Sequence, residues 1–444
     1  MRVERLRARL DEYVFLEAPP PPPFSVQRLL VGSFVFIGLI AVQLARMWPS
    51  LPLNTIWAED GTAWLTYALH HDLVQAITTP HAGYLQTVSR LVAQPVSSLS
   101  PIRFAPAMSL SGAAIVAVCS IVVWRASAAH IRSRYLRLTL ASMLVLVPTA
   151  GAEMLDNTVN TIWFLTVVSF WILLWRPASF VRAVAAATLL LLAGLSSIGI
   201  AFLLPVALLR AVAARDRRDA IIVAAFALGA GAQLYVASSQ STGMAHWDWG
   251  LIPAYTQRVV GGALTGLTIT GELWKQFGVG FEIALGAVLV GLLLFGVIRL
   301  PMPARLLGPL AIAISFAAFV ISGYERAVGS TLLWPHGSYH SGVSRYVVVP
   351  TLVLLSGIIL MLDASPCRST VVTWRRLRIG VTLLVLVGAA SSFDASDASR
   401  GPPTWSYQVA KARTLCHYAH ARVAPMVADP IWLPPFYVPC NRFG

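Results

Sequence analysis

Apolar runs long enough to cross a lipid bilayer recur along the whole sequence, separated by shorter polar segments. A membrane-spanning helix needs about 20 mostly apolar residues, and most of these runs approach that length. The pattern therefore predicts an all-α polytopic membrane protein with about 11 transmembrane helices. The predicted spans are 26–48, 104–124, 136–152, 159–175, 180–196, 198–213, 219–237, 281–298, 306–323, 346–363 and 379–394.

Composition and charge agree with this class and predict an orientation. Hydrophobic residues make up 57% of the chain and charged residues only 12%. The net charge of +14 does not indicate nucleic-acid binding, because the basic residues form short clusters between apolar runs. Most of them fall on one side of the membrane if the N-terminus is cytoplasmic, as the positive-inside rule requires. We therefore expect a bacterial inner (plasma) membrane protein with an external C-terminus.

Three regions follow from this topology. Residues 1–25 have an apolar stripe at helical spacing and then five consecutive prolines, which predicts a cytoplasmic amphipathic helix at the membrane surface and a stiff spacer. Residues 26–394 form the transmembrane domain, which carries a long external loop at 49–103. Residues 395–444 form an external tail. The outside segments are much longer than the inside ones, so we expect function on the external face.

The four cysteines fit the same topology. Cys119 falls within a span, and Cys367 falls in a basic inside loop where a reduced thiol is expected. Cys416 and Cys440 both lie in the external tail, which predicts a disulfide between them. The alternative is two unrelated thiols.

The first outside loop contains an acidic pair, Glu59 and Asp60, in the sequence IWAEDGTAWL. Transfer of a sugar from a lipid phosphate needs a carboxylate that deprotonates the acceptor hydroxyl. Neighbouring side chains diverge, so one carboxylate is predicted to be catalytic and the other supporting. We expect Asp60 to be the base, because it is the shorter side chain and precedes Gly61, which allows substrate to approach the backbone closely. The alternative is that Asp60 caps a helix starting near Thr62.

Other outside residues are predicted to bind substrate. A cation must stabilise the departing phosphate, and Arg345 at the start of a span is the first candidate, with interfacial anchoring as its alternative. If 153–160 is helical, its polar residues share one face, although they could simply end a helix at the interface. The candidates for the donor phosphate are Arg345, Arg326 and His340, and those for substrate are Trp57, Trp64, Tyr84, Glu153, Asp156 and Asn157.

The chain resembles the GT-C superfamily of membrane glycosyltransferases, in particular an uncharacterised bacterial GT-C-like group. The resemblance rests on WAEDG at 57–61, the amphipathic stretch 62–100, and the segments PHAGYLQTVSRLVA, NTIWFL and SRYVVVP. It implies a first external loop with an acidic residue or pair, a polyprenyl-phosphate-linked sugar as donor, and a glycan, lipid or protein acceptor in the cell envelope. Some members use a divalent metal, although no ligand spacing in this sequence by itself requires one.

Two other functions stay open at this stage. A lipid-linked oligosaccharide polymerase or ligase would use external arginines and a histidine, for which Arg258, Arg326, Arg345 and His340 are candidates. A lipid or sugar transporter would place its coupling groups at mid-membrane and could show repeated spans, and the sequence shows neither. Proximity of Asp60 to Arg345 in an external cavity would favour the transferase.

Overall fold

A computed structural model describes residues 4, 7, 10, 12–17, 25–238, 247–325, 345–364, 371–396, 403–419, 421–431 and 433–443. The described chain is mostly helical. Its α-helices are α1 (Val26–Arg46), α2 (Thr66–His70), α3 (Leu73–Thr78), α4 (Thr87–Ser97), α5 (Phe104–Ala126), α6 (Arg134–Leu146), α7 (Thr161–Leu174), α8 (Phe180–Gly194), α9 (Leu204–Ala213), α10 (Arg217–Ser238), α11 (Leu251–Ala254), α12 (Gly262–Phe277), α13 (Val279–Arg299), α14 (Ala304–Glu325), α15 (Arg345–Asp363), α16 (Val371–Ser391) and α17 (Trp405–Tyr418). Two strands, β1 (Val423–Met426) and β2 (Phe436–Pro439), lie in the tail.

Six helices in the described part of the chain are long and apolar enough to span a membrane: α1, α5 with its flanking turns, α10, α13, α14 and α15. They support a multi-pass membrane protein. The apolar segments Thr161–Leu174, Phe180–Gly194 and Ile198–Ala213 are helical but shorter. Every predicted span falls on a helix. The count of eleven spans and the orientation of the termini stay predictions.

Close helix contacts at glycine hold the bundle together. A Cβ placed on Gly357 of α15 would lie 2.8 Å from the carbonyl oxygen of Gly308 in α14. Similarly, a Cβ on Gly194 of α8 would lie 2.7 Å from the Cα of Gly229 in α10. Small residues let helix backbones approach where the hydrophobic effect does not drive association. The side chains of α7 are almost all buried, so this helix lies at the centre of the bundle.

The N-terminal segment is anchored to the protein. Leu10, Val14 and Phe15 are at most 4% exposed. The Phe15 ring lies 5.8 Å from the guanidinium carbons of both Arg176 and Arg210. Protein side chains therefore cover these three apolar residues, and the position of residues 1–25 at the membrane surface stays a prediction.

The C-terminal tail combines a helix with a small sheet. β1 and β2 pair antiparallel, with Val423 opposite Pro439 and Met426 opposite Phe436. The described chain is mostly helical, as predicted, and the sequence analysis did not predict these two short strands. The predicted disulfide is confirmed: Cys416 at the end of α17 is bonded to Cys440 just after β2. Cys119 is a buried free thiol, and Cys367 lies outside the described residues.

Candidate functional site

The tail holds the acidic segment of the first outside loop. The backbone N–H of Ala58 donates to the carbonyl of Asp429 at 2.6 Å, and the N–H of Asp429 donates to the carbonyl of Ile56 at 2.8 Å. A Cβ on Gly61 would lie only 2.7 Å from a ring carbon of Phe436. Gly61 therefore makes room for the tail. The prediction that it admits substrate to the backbone is wrong, because Phe436 occupies that space.

Asp60 is 1% exposed and lies at the first position of a π-helical turn, Asp60–Leu65. Its Oδ1 accepts hydrogen bonds from the Thr158 hydroxyl at 2.7 Å and the Val159 N–H at 3.0 Å. Its Oδ2 accepts from the Thr158 N–H at 2.8 Å. Burial raises the pKa of Asp60 to about 7, and these hydrogen bonds oppose the rise. Asp60 thus fixes the first outside loop to the segment that precedes α7, rather than capping a helix near Thr62.

The segment 152–160 is not a helix with one polar face. Ala152–Met154 is a single 3₁₀ turn, and Asp156 has a left-handed φ of 54°. The predicted helical face is wrong because this residue breaks the helical path. The side-chain amides of Asn157 and Asn160 instead donate to the Glu153 carbonyl at 2.7 Å and 2.5 Å. Asn157 therefore rigidifies this loop.

Asp156 lies in a different environment from the acidic pair. It is 7% exposed, and both carboxylate oxygens are buried with no hydrogen-bond partner among the described residues. Burial raises its pKa to about 7, and the charge of Arg46 opposes the rise. Arg46 donates to the carbonyls of Val145 and Val147 at 2.7 Å and 3.1 Å. Asp156 is thus coupled to the end of α1.

The charge of Glu59 reaches Arg345. Glu59 is half-buried, and no described residue donates a hydrogen bond to its carboxylate. Its charge acts on both Arg345 and His81. The pKa of His81 is lowered by burial, and the Glu59 charge opposes that effect. Among the described residues, Glu59 therefore interacts electrostatically with two potential substrate-binding side chains, Arg345 and His81.

Arg345 begins α15 and is held by its backbone. Its N–H donates to Oε1 of Glu153 at 2.9 Å. Its guanidinium carbon lies 5.2 Å from the ring centre of Tyr346, while its Nε is buried without a hydrogen-bond partner in the described structure. Glu153 thus positions the start of the helix and leaves the guanidinium able to bind an anion. The other two predicted phosphate ligands, Arg326 and His340, lie outside the described residues.

An apolar groove of about 360 Å³ lies beside these groups. Tyr84, Trp163 and Tyr346 contribute aromatic walls, and Phe202 and Ile321 contribute apolar surface. Tyr346 also borders a smaller adjoining pocket that includes Arg345. The groove therefore leads toward the cation.

The predicted aromatic residues differ in access. Tyr84 reaches the groove from a tight turn closed by two backbone hydrogen bonds with His81, at 2.8 Å and 3.1 Å. Trp57 is half-buried beside the acidic pair. Trp64 is 1% exposed and lies 4.7 Å beneath the guanidinium carbon of Arg90, so the ring that was predicted to stack on a sugar is covered.

Sequence reasoning did not select Trp163 and Tyr346 as binding residues. Their rings meet edge to face at 6.3 Å. Both lie in the segments NTIWFL and SRYVVVP that carry the family resemblance. Their sequence positions close to Asn160 and Arg345 could have identified them as binding residues.

The described carboxylates do not form a metal centre. No group of three or more His, Cys, Asp or Glu side chains with metal-binding geometry occurs in the part of the chain that the structure describes. Both oxygens of Asp60 accept hydrogen bonds from N–H or O–H donors, so they face hydrogens rather than a cation. Oε1 of Glu153 accepts from the Arg345 backbone. Glu59 and Asp156 are the carboxylates of this site that accept no hydrogen bond from the described residues, and they lie in different environments. A single carboxylate is a poor site for a cation that prefers six or more oxygen ligands.

No protein-family model matches the chain, and no curated protein matches it. Solved structures of similar shape include the oligosaccharyltransferase of Archaeoglobus fulgidus in complex with Zn and sulfate, at 13% identity and a TM-score of 0.38, covering 87% of this chain and 56% of that one. The archaeal oligosaccharyltransferase AglB from Archaeoglobus fulgidus, in complex with an inhibitory peptide and a dolichol-phosphate, gives 12% identity and a TM-score of 0.34, covering 88% and 58%. The chain thus spans less than two thirds of the length of these structures. TM-scores this low do not establish a shared fold.

Proposed function

We propose that this protein is a GT-C-like membrane glycosyltransferase. It moves a sugar from a polyprenyl-phosphate donor to a glycan, lipid or protein acceptor of the cell envelope on the external face. One observation carries the proposal: the charge of Glu59, whose carboxylate accepts no hydrogen bond from the described residues, reaches Arg345, and Arg345 lines a small pocket that adjoins an apolar groove. The multi-pass membrane class supports a lipid-linked substrate.

The donor binds through two parts of the site: the groove takes its polyprenyl chain, and Arg345 takes its phosphate. The polyprenyl chain lies along the apolar wall made by Phe202 and Ile321. Moving it there from the bilayer costs little free energy, because both surroundings are apolar. The phosphate binds the Arg345 guanidinium, whose planar fork matches two phosphate oxygens. The sugar then lies between Arg345 and Glu59, against the rings of Trp163 and Tyr346.

The reaction breaks the bond between the sugar anomeric carbon and the phosphate oxygen. A hydroxyl of the acceptor attacks that carbon and passes its proton to the catalytic carboxylate. The bonding electrons leave with the phosphate, and the positive charge of Arg345 stabilises the departing anion. No protein group needs to be oxidised or reduced, and the two products are a glycosylated acceptor and polyprenyl phosphate.

Glu59 is a better base than Asp60 in this geometry. A base needs an accessible lone pair, and the three hydrogen bonds from Thr158 and Val159 engage both oxygens of Asp60. Glu59 accepts none from the described chain. Two carboxylates, Glu153 and Glu59, act on Arg345 through their charge, and Oε1 of Glu153 already accepts the Arg345 backbone N–H. We therefore reverse the assignment made from sequence: Glu59 takes the proton, and Asp60 positions the loop that carries it.

The test is a turnover assay with purified protein and a panel of polyprenyl-phosphate sugars, read by product mass. Glu59→Gln should lower turnover by about 10²–10⁴-fold without changing the melting temperature. Glu272→Gln is the matched control, because Glu272 is exposed and pairs only with Lys275 among the described residues. Asp60→Asn should instead lower the melting temperature, because Asp60 positions the loop rather than taking the proton.

Two results would contradict the proposal in different ways. Retained turnover in Glu59→Gln together with lost turnover in a fully folded Asp60→Asn would return the base to Asp60. If the wild-type protein neither binds nor turns over any donor of the panel, the transferase function is rejected, and transport or glycan polymerisation is favoured.

A further inference from the structure

A second, larger groove lies between α1, α5 and α6, with a volume of about 610 Å³. This volume is in the range of about 300–1,000 Å³ typical of ligand sites. One part of its wall is apolar: Val31 and Leu39 of α1, Ile121 of α5 and Leu138 of α6. Within the structure only 6% of the apolar window of α1 is buried. The groove therefore opens sideways, toward the hydrocarbon of the bilayer.

The other part of the wall is cationic. It includes Arg125, which is exposed at the end of α5 and makes no ion pair with any described residue. The guanidinium carbon of Arg137 lies 4.6 Å from the centre of the neighbouring Trp124 ring. The Nε of Arg137 is buried without a hydrogen-bond partner in the described chain. Asp363, whose charge reaches Arg137, is occupied in accepting the N–H of Arg132 at 2.7 Å. Among the described residues that line the groove, none carries a carboxylate.

We propose that this groove binds one anionic phospholipid. The headgroup phosphate contacts Arg125 and Arg28, the two arginines that line the groove, and Arg137 adds positive charge from behind Trp124. One acyl chain lies along Val31, Leu39 and Ile121. A zwitterionic lipid fits less well, because the lining offers no carboxylate for its cationic group. A free phosphate would leave the apolar wall uncovered.

This site is independent of the proposed sugar transfer. At one end of α5, Phe104 packs 6.4 Å from Trp405 of the external tail, and Arg125 lies at the other end. With a rise of about 1.5 Å per residue, the helix separates the two sites by about 30 Å. By the positive-inside rule the lipid belongs to the cytoplasmic leaflet.

Native mass spectrometry of delipidated protein, titrated with phosphatidylglycerol or phosphatidylcholine, tests the charge requirement. The wild type should bind one phosphatidylglycerol at least about tenfold more tightly than phosphatidylcholine. Arg28→Gln with Arg125→Gln should remove that preference. Arg299→Gln with Arg305→Gln, at arginines outside the groove lining, should keep it. Equal binding of the two lipids by the wild type would overturn the proposal.

A pair of glycines on α1 tests the shape requirement without touching the arginines. A Cβ added to either Gly32 or Gly38 meets no atom within 4 Å, and only Gly32 lines the groove. Gly32→Leu should fill the groove and weaken phosphatidylglycerol binding at least about tenfold, whereas Gly38→Leu should leave it unchanged. Unchanged binding in folded Gly32→Leu would overturn the proposal even if the double arginine variant failed to fold.

Discussion

Replacing Gly61 with alanine should loosen the tail from the acidic loop. The new methyl would lie 2.7 Å from one ring carbon of Phe436 and 3.1 Å from another. Carbon atoms prefer separations of about 3.5–4.0 Å. The ring cannot retreat easily, because Phe436 is 3% exposed and stacks on Trp405 at 6.1 Å. Trp405 is itself fixed by a 2.8 Å hydrogen bond to the Pro101 carbonyl.

Overpacking of this kind costs about 1–3 kcal/mol. We expect Gly61→Ala to lower the unfolding free energy by that amount, measured by thermal and denaturant unfolding in detergent. Turnover should fall as well, since Glu59 lies two residues from the disturbed contact. Gly291→Ala is the control, because a Cβ there meets no atom within 4 Å and alanine favours the surrounding helix.

A double-mutant cycle identifies the cause. Phe436→Leu removes part of the ring that the new methyl would strike, so the combined variant should be more stable than the sum of the single effects by about 1 kcal/mol or more. Strict additivity would refute the reasoning, since Phe436 would then not be the group that excludes a side chain at residue 61.

Three further predictions concern Asp60, Cys416 and Arg345. The pKa of Asp60 is about 7 in the fold against 3.8 ordinarily, so the protonated acid favours folding; relative to Asp60→Asn, wild-type stability should fall by roughly 4 kcal/mol as pH rises from about 4 to about 7 and stay level above. A pH-independent difference in melting temperature would contradict this. Cys416→Ser should cost the tail about 3 kcal/mol, seen as faster proteolysis of 403–443, and should reduce turnover with it; equal proteolysis rates would exclude a stabilising role. Arg345→Lys should lower turnover roughly tenfold or more at an unchanged melting temperature, because lysine cannot bind phosphate through two parallel hydrogen bonds; near-normal turnover would leave Arg345 as an interfacial anchor.

The sequence predicted the features that follow from composition and compartment. The positions of the spans depend on length and apolarity, and both are visible in one sequence. The disulfide between Cys416 and Cys440 followed from placing both cysteines outside the membrane. The acidic pair was found because carboxylates are scarce in this chain.

The division of roles within that pair could not be read from the sequence. The partners of Asp60 are mainly backbone N–H groups at Thr158 and Val159, and any residue type other than proline supplies such a donor. The helical reading of 153–160 failed because periodicity assumes a continuous helix, whereas Asp156 takes a left-handed conformation. The strands of the tail were missed because Pro425 and Pro439 interrupt the apolar pattern, as proline does in edge strands.

The two backbone hydrogen bonds that join Asp429 to Ile56 and Ala58 imply an order of assembly for the protein. The acidic loop follows the first span and leaves the ribosome early, while Asp429 follows the last predicted span and is synthesised after the bundle has begun to form. Until the tail has been synthesised and has folded, the loop lacks its backbone hydrogen-bond partner at Asp429. Newly inserted chains should therefore pass through a stage in which the helices are in place but the loop is unsupported. Maturation of the external tail, rather than membrane insertion, would then determine when a new copy becomes competent.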